Sequence, residues 1–232
     1  MTRVELILYG GGGVAIDTAR YIGDVNKADP SQELVVTDVV DEGAGRIEDL
    51  RTLLGYAVVG HSSLQSIKNL NQKRFLVTLG HSPVRDEKFK LLRDAGHRFH
   101  TLVHPAAQIS HTTSIGEGCI VAPFALIGTF ATLQDNVIVN VRATIGHDTT
   151  LGESCIVSPH VCISGGVECG RSSFFGAATV IVPGVTIGQF VKLSAGTVVT
   201  GDIGSGCFAH GSPATARKLF DPATGRALFA GN

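Results

Sequence analysis

The chain has 232 residues, 44% of them hydrophobic and 17% charged, enough to bury a real core and to build one large or two small domains. Nineteen Lys plus Arg stand against twenty Asp plus Glu, a formal net charge of -1 without a basic stripe, which argues against a nucleic acid polymer or a membrane as partner. Five Cys with no CxxC and no His/Cys pairing at zinc spacing read as reduced thiols in the cytoplasm, with no structural metal expected.

The apolar run at the start, Leu6-Ile7-Leu8-Tyr9, is too short for a signal h-region and reads as a buried strand. A glycine turn follows at Gly10 to Gly13, then a helix from Ile16 to Ile22, then a second strand over Glu33 to Asp38. That succession is a βαβ unit. Gly10, Gly12 and Ala15 fit the G-x-G-x-x-G/A fingerprint, in which missing side chains let a phosphate approach amides at a helix N-terminus; a glycine turn that merely packs helix on strand would match as well. A region of about a hundred residues suits one mononucleotide-binding half better than the two halves a dinucleotide needs. Leu54 to Gly60, the strand Phe75 to Leu79 with Gly80, a helix from Lys88 to Ala95 with Gly96 behind it, and Leu102-Val103-His104-Pro105 complete this region.

From Val103 the grammar changes to a period of six. The positions 103, 109, 115 and onward to 199 hold Leu, Ile or Val in fifteen of seventeen cases, the exceptions being Cys169 and Phe175. A six-residue period does not keep one face of a 3.6-residue helix, and a unit with one apolar residue cannot bury it alone. Stacked coils can, with each aliphatic resting on its equivalents above and below. No hexad is interrupted, so no long loop should protrude. The position after the aliphatic is often glycine, as at Gly116, Gly128, Gly146, Gly152 and Gly170.

These hexads resemble the hexapeptide-repeat acyltransferases, whose left-handed parallel β-helix is a triangular prism of three hexads per coil. Handedness and coil size come from that resemblance. Together with the front region, the succession from Leu6 to Ala214 resembles the sialic acid O-acetyltransferase-like branch, which includes N-acetyltransferases of nucleotide-linked amino sugars. The expected domains are 1–101, a Rossmann-like nucleotide-sugar holder; 102–213, the left-handed β-helix; and 214–232, a C-terminal tail. The resemblance places nucleotide contacts on Gly12, Gly13 and Val14, with an acidic end of the second strand at Asp38. Val14 stands where relatives often carry His.

Acyl transfer from a thioester needs a base and oxyanion donors. Of nine His, only His147 and His160 lie in the middle coils, and His147 precedes Asp148. In the family a His-acid pair at this spot supplies the base. Register adds that His147, two residues past its aliphatic, points outward, and that the residue one coil above is Gly165, where a missing side chain opens space for a thioester carbonyl with the Gly165 amide as donor. From periodicity alone, His147 as a solvated turn residue and Gly165 as a corner glycine is an equal reading. Relatives often carry a second His nine residues after the base, where this chain has Ile156. His111 and His160 read as bystanders, His104 as part of the domain junction, and Arg217 and Lys218 as residues that meet coenzyme A phosphates or simply solvate the end.

The family's coenzyme A amide contacts map to Ala177 and Ala195, on a different prism face from His147. One ligand must then touch two subunits, as the family's homotrimer implies. The expected activity is acetyl-CoA-dependent N-acetylation of a nucleotide-linked amino sugar for a surface glycan. O-acetylation of sialic acid or a related sugar, and a non-catalytic β-helix binding or scaffold protein, remain alternatives.

Overall fold

The computed structural model describes residues 2–43 and 45–228; residues 229–232 of the expected tail lie outside the described residues. Two compact units result, Met1–Pro105 and Ala106–Asn232.

The first unit runs β1 (Thr2–Tyr9), α1 (Gly13–Ala28), β2 (Gln32–Val40), α2 (Ile47–Leu54), β3 (Val59–His61), β4 (Arg74–Val77), α3 (Ser82–Asp94) and β5 (Arg98–Phe99). Its five strands pair in the order β3-β2-β1-β4-β5, and all pairings are parallel. Leu6, Ile7 and Leu8 are fully buried, as a central parallel strand covered on both faces requires. Phe75, Phe89, Leu92 and Phe99 fill one side, with Phe89 and Phe99 rings 4.3 Å apart. The chain leaves β1 toward β2 and β3, then returns to β4 on the other side. The glycine turn thus stands at the switch point, where sheets of this kind leave a crevice beyond the strand ends.

β2 is longer than the expected Glu33 to Asp38. Leu6 pairs with Val36 and Ile7 with Asp38, so Thr37 is skipped by a bulge and the strand ends at Val40.

In the second unit every sixth residue behaves as the period demands. The hexad core residues from 109 to 199 are each the second residue of a two-residue strand. From Val121 onward each is 4% exposed or less. The strands form three stacks with a register of eighteen residues, Leu126 on Thr144 and Thr144 on Cys162, for example. We designate as face 1 the stack of Ile109, Ile127, Ile145, Ile163, Ile181 and Val199; face 2 holds Ile115 through Ile187. Face 3 rises from Val121 to Leu193, continues in parallel to Cys207–His210 and closes with antiparallel Thr215–Lys218. These stacked parallel sheets make a parallel β-helix.

Phe175 fills the core at 0% exposure where its neighbours along the period are smaller. Phe175→Ala is expected to lower unfolding stability by about 3–5 kcal/mol, read from the midpoint of a urea transition.

The prism turns its corners by a device the glycines conceal. Three residues past each aliphatic, φ is positive, from Gly118 through Phe124, Phe130, Asn136, Arg142 and Asp148 to Gly196. Most of these residues are not glycine and bear the cost of a left-handed conformation. Compensation comes from the coil below: the Asp148 amide donates to the Thr129 carbonyl at 2.9 Å, and the Gly166 amide to the His147 carbonyl at 2.8 Å.

Candidate active site

His147 sits on the edge between faces 1 and 2, with its side chain 69% exposed. The expected outward projection is what the structure shows. The next residue, Asp148, takes the left-handed corner at φ 55, a conformation Asp tolerates better than most. Its carboxylate Oδ2 thereby lies 2.7 Å from His147 Nδ1. A carboxylate only accepts, so in the neutral imidazole this contact favours the tautomer with the hydrogen on Nδ1 and the lone pair on Nε2.

The corner is tied to its neighbours. Thr149, fully buried, donates from Oγ1 to the Ser164 carbonyl at 2.9 Å and accepts from the Val167 amide at 3.3 Å. Thr149 was not singled out from the sequence; its place two residues past His147 was the available signal.

Gly165 stands one coil above, but the space its missing side chain leaves is not open as expected. The imidazole itself occupies it. A Cβ on Gly165 would lie 2.6 Å from His147 Cε1 and 2.8 Å from Cδ2, with Nε2 the nearest atom. Glycine here lets the ring lie against the coil above it. The Gly165 amide has no hydrogen-bond acceptor among the described residues, since the corner uses the amide of Gly166 instead.

Ala177 and Ala195 stack on the edge between faces 3 and 1, both exposed. Their amides likewise have no acceptor among the described residues, while the Ala177 carbonyl accepts from Gly196 at 2.8 Å. Face 1 thus separates the His147 edge from the edge with the free Ala177 and Ala195 amides. Ile156 is 4% exposed, and His160 is exposed at a left-handed corner.

On the first unit, α1 starts at Gly12 with no side-chain cap. The amides of Gly12, Gly13 and Val14 find no acceptor among the described residues, and nothing lies within 4 Å of a Cβ built on Gly12 or Gly13. Three free N–H groups at the positive end of a sixteen-residue helix form a seat for an anion.

Asp38 is not brought to this turn. Its carboxylate is buried with Lys73 Nζ, His61 Nε2 at 2.7 Å and the Thr37 hydroxyl at 2.6 Å. Burial works to raise the Asp38 carboxyl, but hydrogen bonds from Lys73, Thr37 and His61 outweigh it and hold it below the usual carboxylate range. The acid that reaches the turn is Asp41, which accepts from the Gly11 amide at 2.5 Å and the Gly43 amide at 2.8 Å. β2 runs two residues past Asp38 to Val40, so the acid just beyond the strand is Asp41.

Among the described residues, no three His, Cys, Asp or Glu side chains cluster as a metal site would need, and no helix is long and apolar enough to cross a membrane.

No family model matches the chain. Among solved structures, the acetyltransferase domain of PglB from Neisseria gonorrhoeae is 27% identical over 92% of this chain and 99% of its own, with a TM-score of 0.78. PerB from Caulobacter crescentus, solved with CoA and GDP-perosamine, is 28% identical over 92% of this chain and 97% of its own, with a TM-score of 0.79. WeeI from Acinetobacter baumannii shares the fold at 20% identity, over 93% of this chain, with a TM-score of 0.78. In motif and in structure alike, the chain is similar to the nucleotide-amino-sugar N-acetyltransferase branch of the hexapeptide-repeat acyltransferases.

Proposed function

We propose that this chain transfers the acetyl group of acetyl-CoA to the amino group of a nucleotide-linked amino sugar, a step toward a surface glycan, with His147 as general base. The observation that carries the reading is the exposed imidazole whose Nδ1 is held at 2.7 Å by Asp148, leaving Nε2 free to take a proton. The likeness to PerB, a perosamine N-acetyltransferase solved with CoA and GDP-perosamine, supports the substrate pair.

In this reading the acceptor nitrogen attacks the thioester carbonyl carbon. The new C–N bond forms as Nε2 of His147 removes a proton from the nitrogen, and Asp148 stabilises the resulting imidazolium. The Gly165 amide donates to the oxyanion. Collapse breaks the C–S bond, and the departing thiolate takes the proton back from the imidazolium, giving the N-acetyl sugar and coenzyme A.

The coenzyme lies along the edge of the free Ala177 and Ala195 amides. The placing of these two edges on either side of face 1 supports a functional homotrimer, in which one ligand touches two subunits. Leu126 is 42% exposed on that face, and Phe124 and Phe130 flank it at 62% and 65%. Such apolar exposure suits burial by a second copy. The prism is taken as left-handed, as the resemblance to the hexapeptide-repeat acyltransferases implies. We read the front unit as Rossmann-like, on the β3-β2-β1-β4-β5 order, with Gly12, Gly13 and Val14 on the nucleotide's phosphates. Five free thiols suit the cytoplasm.

The test incubates the protein with acetyl-CoA and UDP-, dTDP- or GDP-linked amino sugars beside free sialic acid, following free thiol and product mass. One nucleotide-linked amine is expected to give stoichiometric thiol and an acetylated amine. Turnover of sialic acid alone, or no thiol release with any acceptor, would overturn the reading. Within this scheme Asp148→Asn should lower kcat by about tenfold or more with little change in the KM for acetyl-CoA, because the amide can donate to Nδ1 and favour the wrong tautomer.

A further inference from the structure

The strand starts of the first unit gather positive charge at the edge of the sheet opposite the glycine turn. Arg74 opens β4 and Arg98 opens β5, and the two are register partners on adjacent parallel strands. Neighbouring strands lie about 4.8 Å apart, so two guanidinium stems rise side by side from the same face. Like charges placed directly opposite destabilise a sheet unless something lies between them.

Little in the chain answers this charge. Arg74 forms no ion pair and donates no hydrogen bond among the described residues, and Arg98 donates only to the Asn71 carbonyl at 3.2 Å. Arg3, from β1, approaches Glu5 no closer than 3.8 Å, and Glu5 also faces Lys73 at that distance. Arg3, Arg74 and Arg98 together line a cavity of about 410 Å³, completed by Glu5, Asn69 and Gln72 among others. Three arginines therefore line one cavity with a single carboxylate that is itself shared. Nearby His100 senses the field: burial first, then the charge of Arg74, push its imidazole down to about 4.

We propose that this cavity is a binding site for a small oxyanion, a phosphate or carboxylate group held by Arg74, Arg98 and Arg3. The guanidinium fork matches both groups through paired N–H donors, which a lone ammonium would not do. The site is separate from the anion seat at the glycine turn. It lies at the start of β1, and the turn lies past its end, eight residues or about 25 Å along the strand. It stands independently of the acetyltransferase reading.

Calorimetric titration of the full chain with inorganic phosphate and, separately, citrate, at constant ionic strength with chloride as background, tests it. One probe is expected to bind saturably, and the stronger of the two names the group. The Arg74→Gln/Arg98→Gln double variant should weaken that binding about tenfold or more, with a circular dichroism melt no lower than that of the unsubstituted protein, because the opposed charges are gone. In the unsubstituted protein the bound anion should also raise the His100 pKa, followed by its ring proton shifts, because it screens Arg74. Absence of saturable binding by both probes, or equal affinity in the double variant, would overturn the proposal. So would binding that leaves His100 unmoved and is displaced by a nucleoside diphosphate, since it then belongs to the glycine turn.

Discussion

Replacing His147 with Ala should reduce kcat for thiol release by about 10² to 10⁴, the range expected for losing a positioned base. The loss should fall on rate and not on folding. With its side chain 69% exposed, the ring adds little to the core, so the thermal midpoint should stay near that of the unsubstituted protein. The KM for acetyl-CoA should also change little, because the free amides of Ala177 and Ala195 lie on the other edge. Steady-state thiol assays beside a circular dichroism melt separate these quantities. A variant within a few-fold of full activity would remove His147 from the mechanism.

Gly165→Ala should lower kcat by about 10², through the same ring. The new Cβ would land 2.6 Å from His147 Cε1, so the imidazole must swing off the coil above it. That movement is cheap for the fold, because the obstructed atoms end a flexible side chain. It is costly for catalysis, where a displacement of about 1 Å can remove two orders of magnitude. Gly146→Ala supplies the contrast one coil lower. There the Cβ would meet backbone, coming 2.7 Å from the Ser164 carbonyl oxygen, and the expected effect is a stability loss of about 1–3 kcal/mol. If Gly165→Ala kept full rate, the ring position would carry no catalytic meaning. If it lost stability as Gly146→Ala does, the glycine would be structural.

The prism was legible because one aliphatic per six residues leaves a continuous signal, and each of those residues takes the strand position its period assigns. Outward projection of His147 follows from the same register. The left-handed corners were not legible, because Phe124, Phe130 and Phe190 take a conformation their side chains disfavour. Only the coil-to-coil hydrogen bond from each corner amide makes that conformation worthwhile, and such a bond exists only once the stack is built. The imidazole filling the space above it was also hidden, since register fixes where a residue stands and not how its rotamer leans.

In the front unit, β1, β2 and the glycine turn could be read from composition, but the bulge at Thr37 could not. Val35-Val36-Thr37 and Val39-Val40 flank Asp38 with no glycine or proline to mark the bulge. The strand runs on to Val40, which puts Asp41 at the glycine turn and leaves Asp38 buried with Lys73 and His61. Local pattern placed the element, and pairing with β1 decided which acid it delivers.

The account is tested most directly by a crystal structure holding both coenzyme A and a nucleotide-linked amino sugar. His147 Nε2 should then lie about 2.6–3.2 Å from the acceptor nitrogen, with Nδ1 still on Asp148 and the thiol within reach of that nitrogen. An acceptor nitrogen closer to another titratable group, with the 147 ring facing solvent, would contradict it.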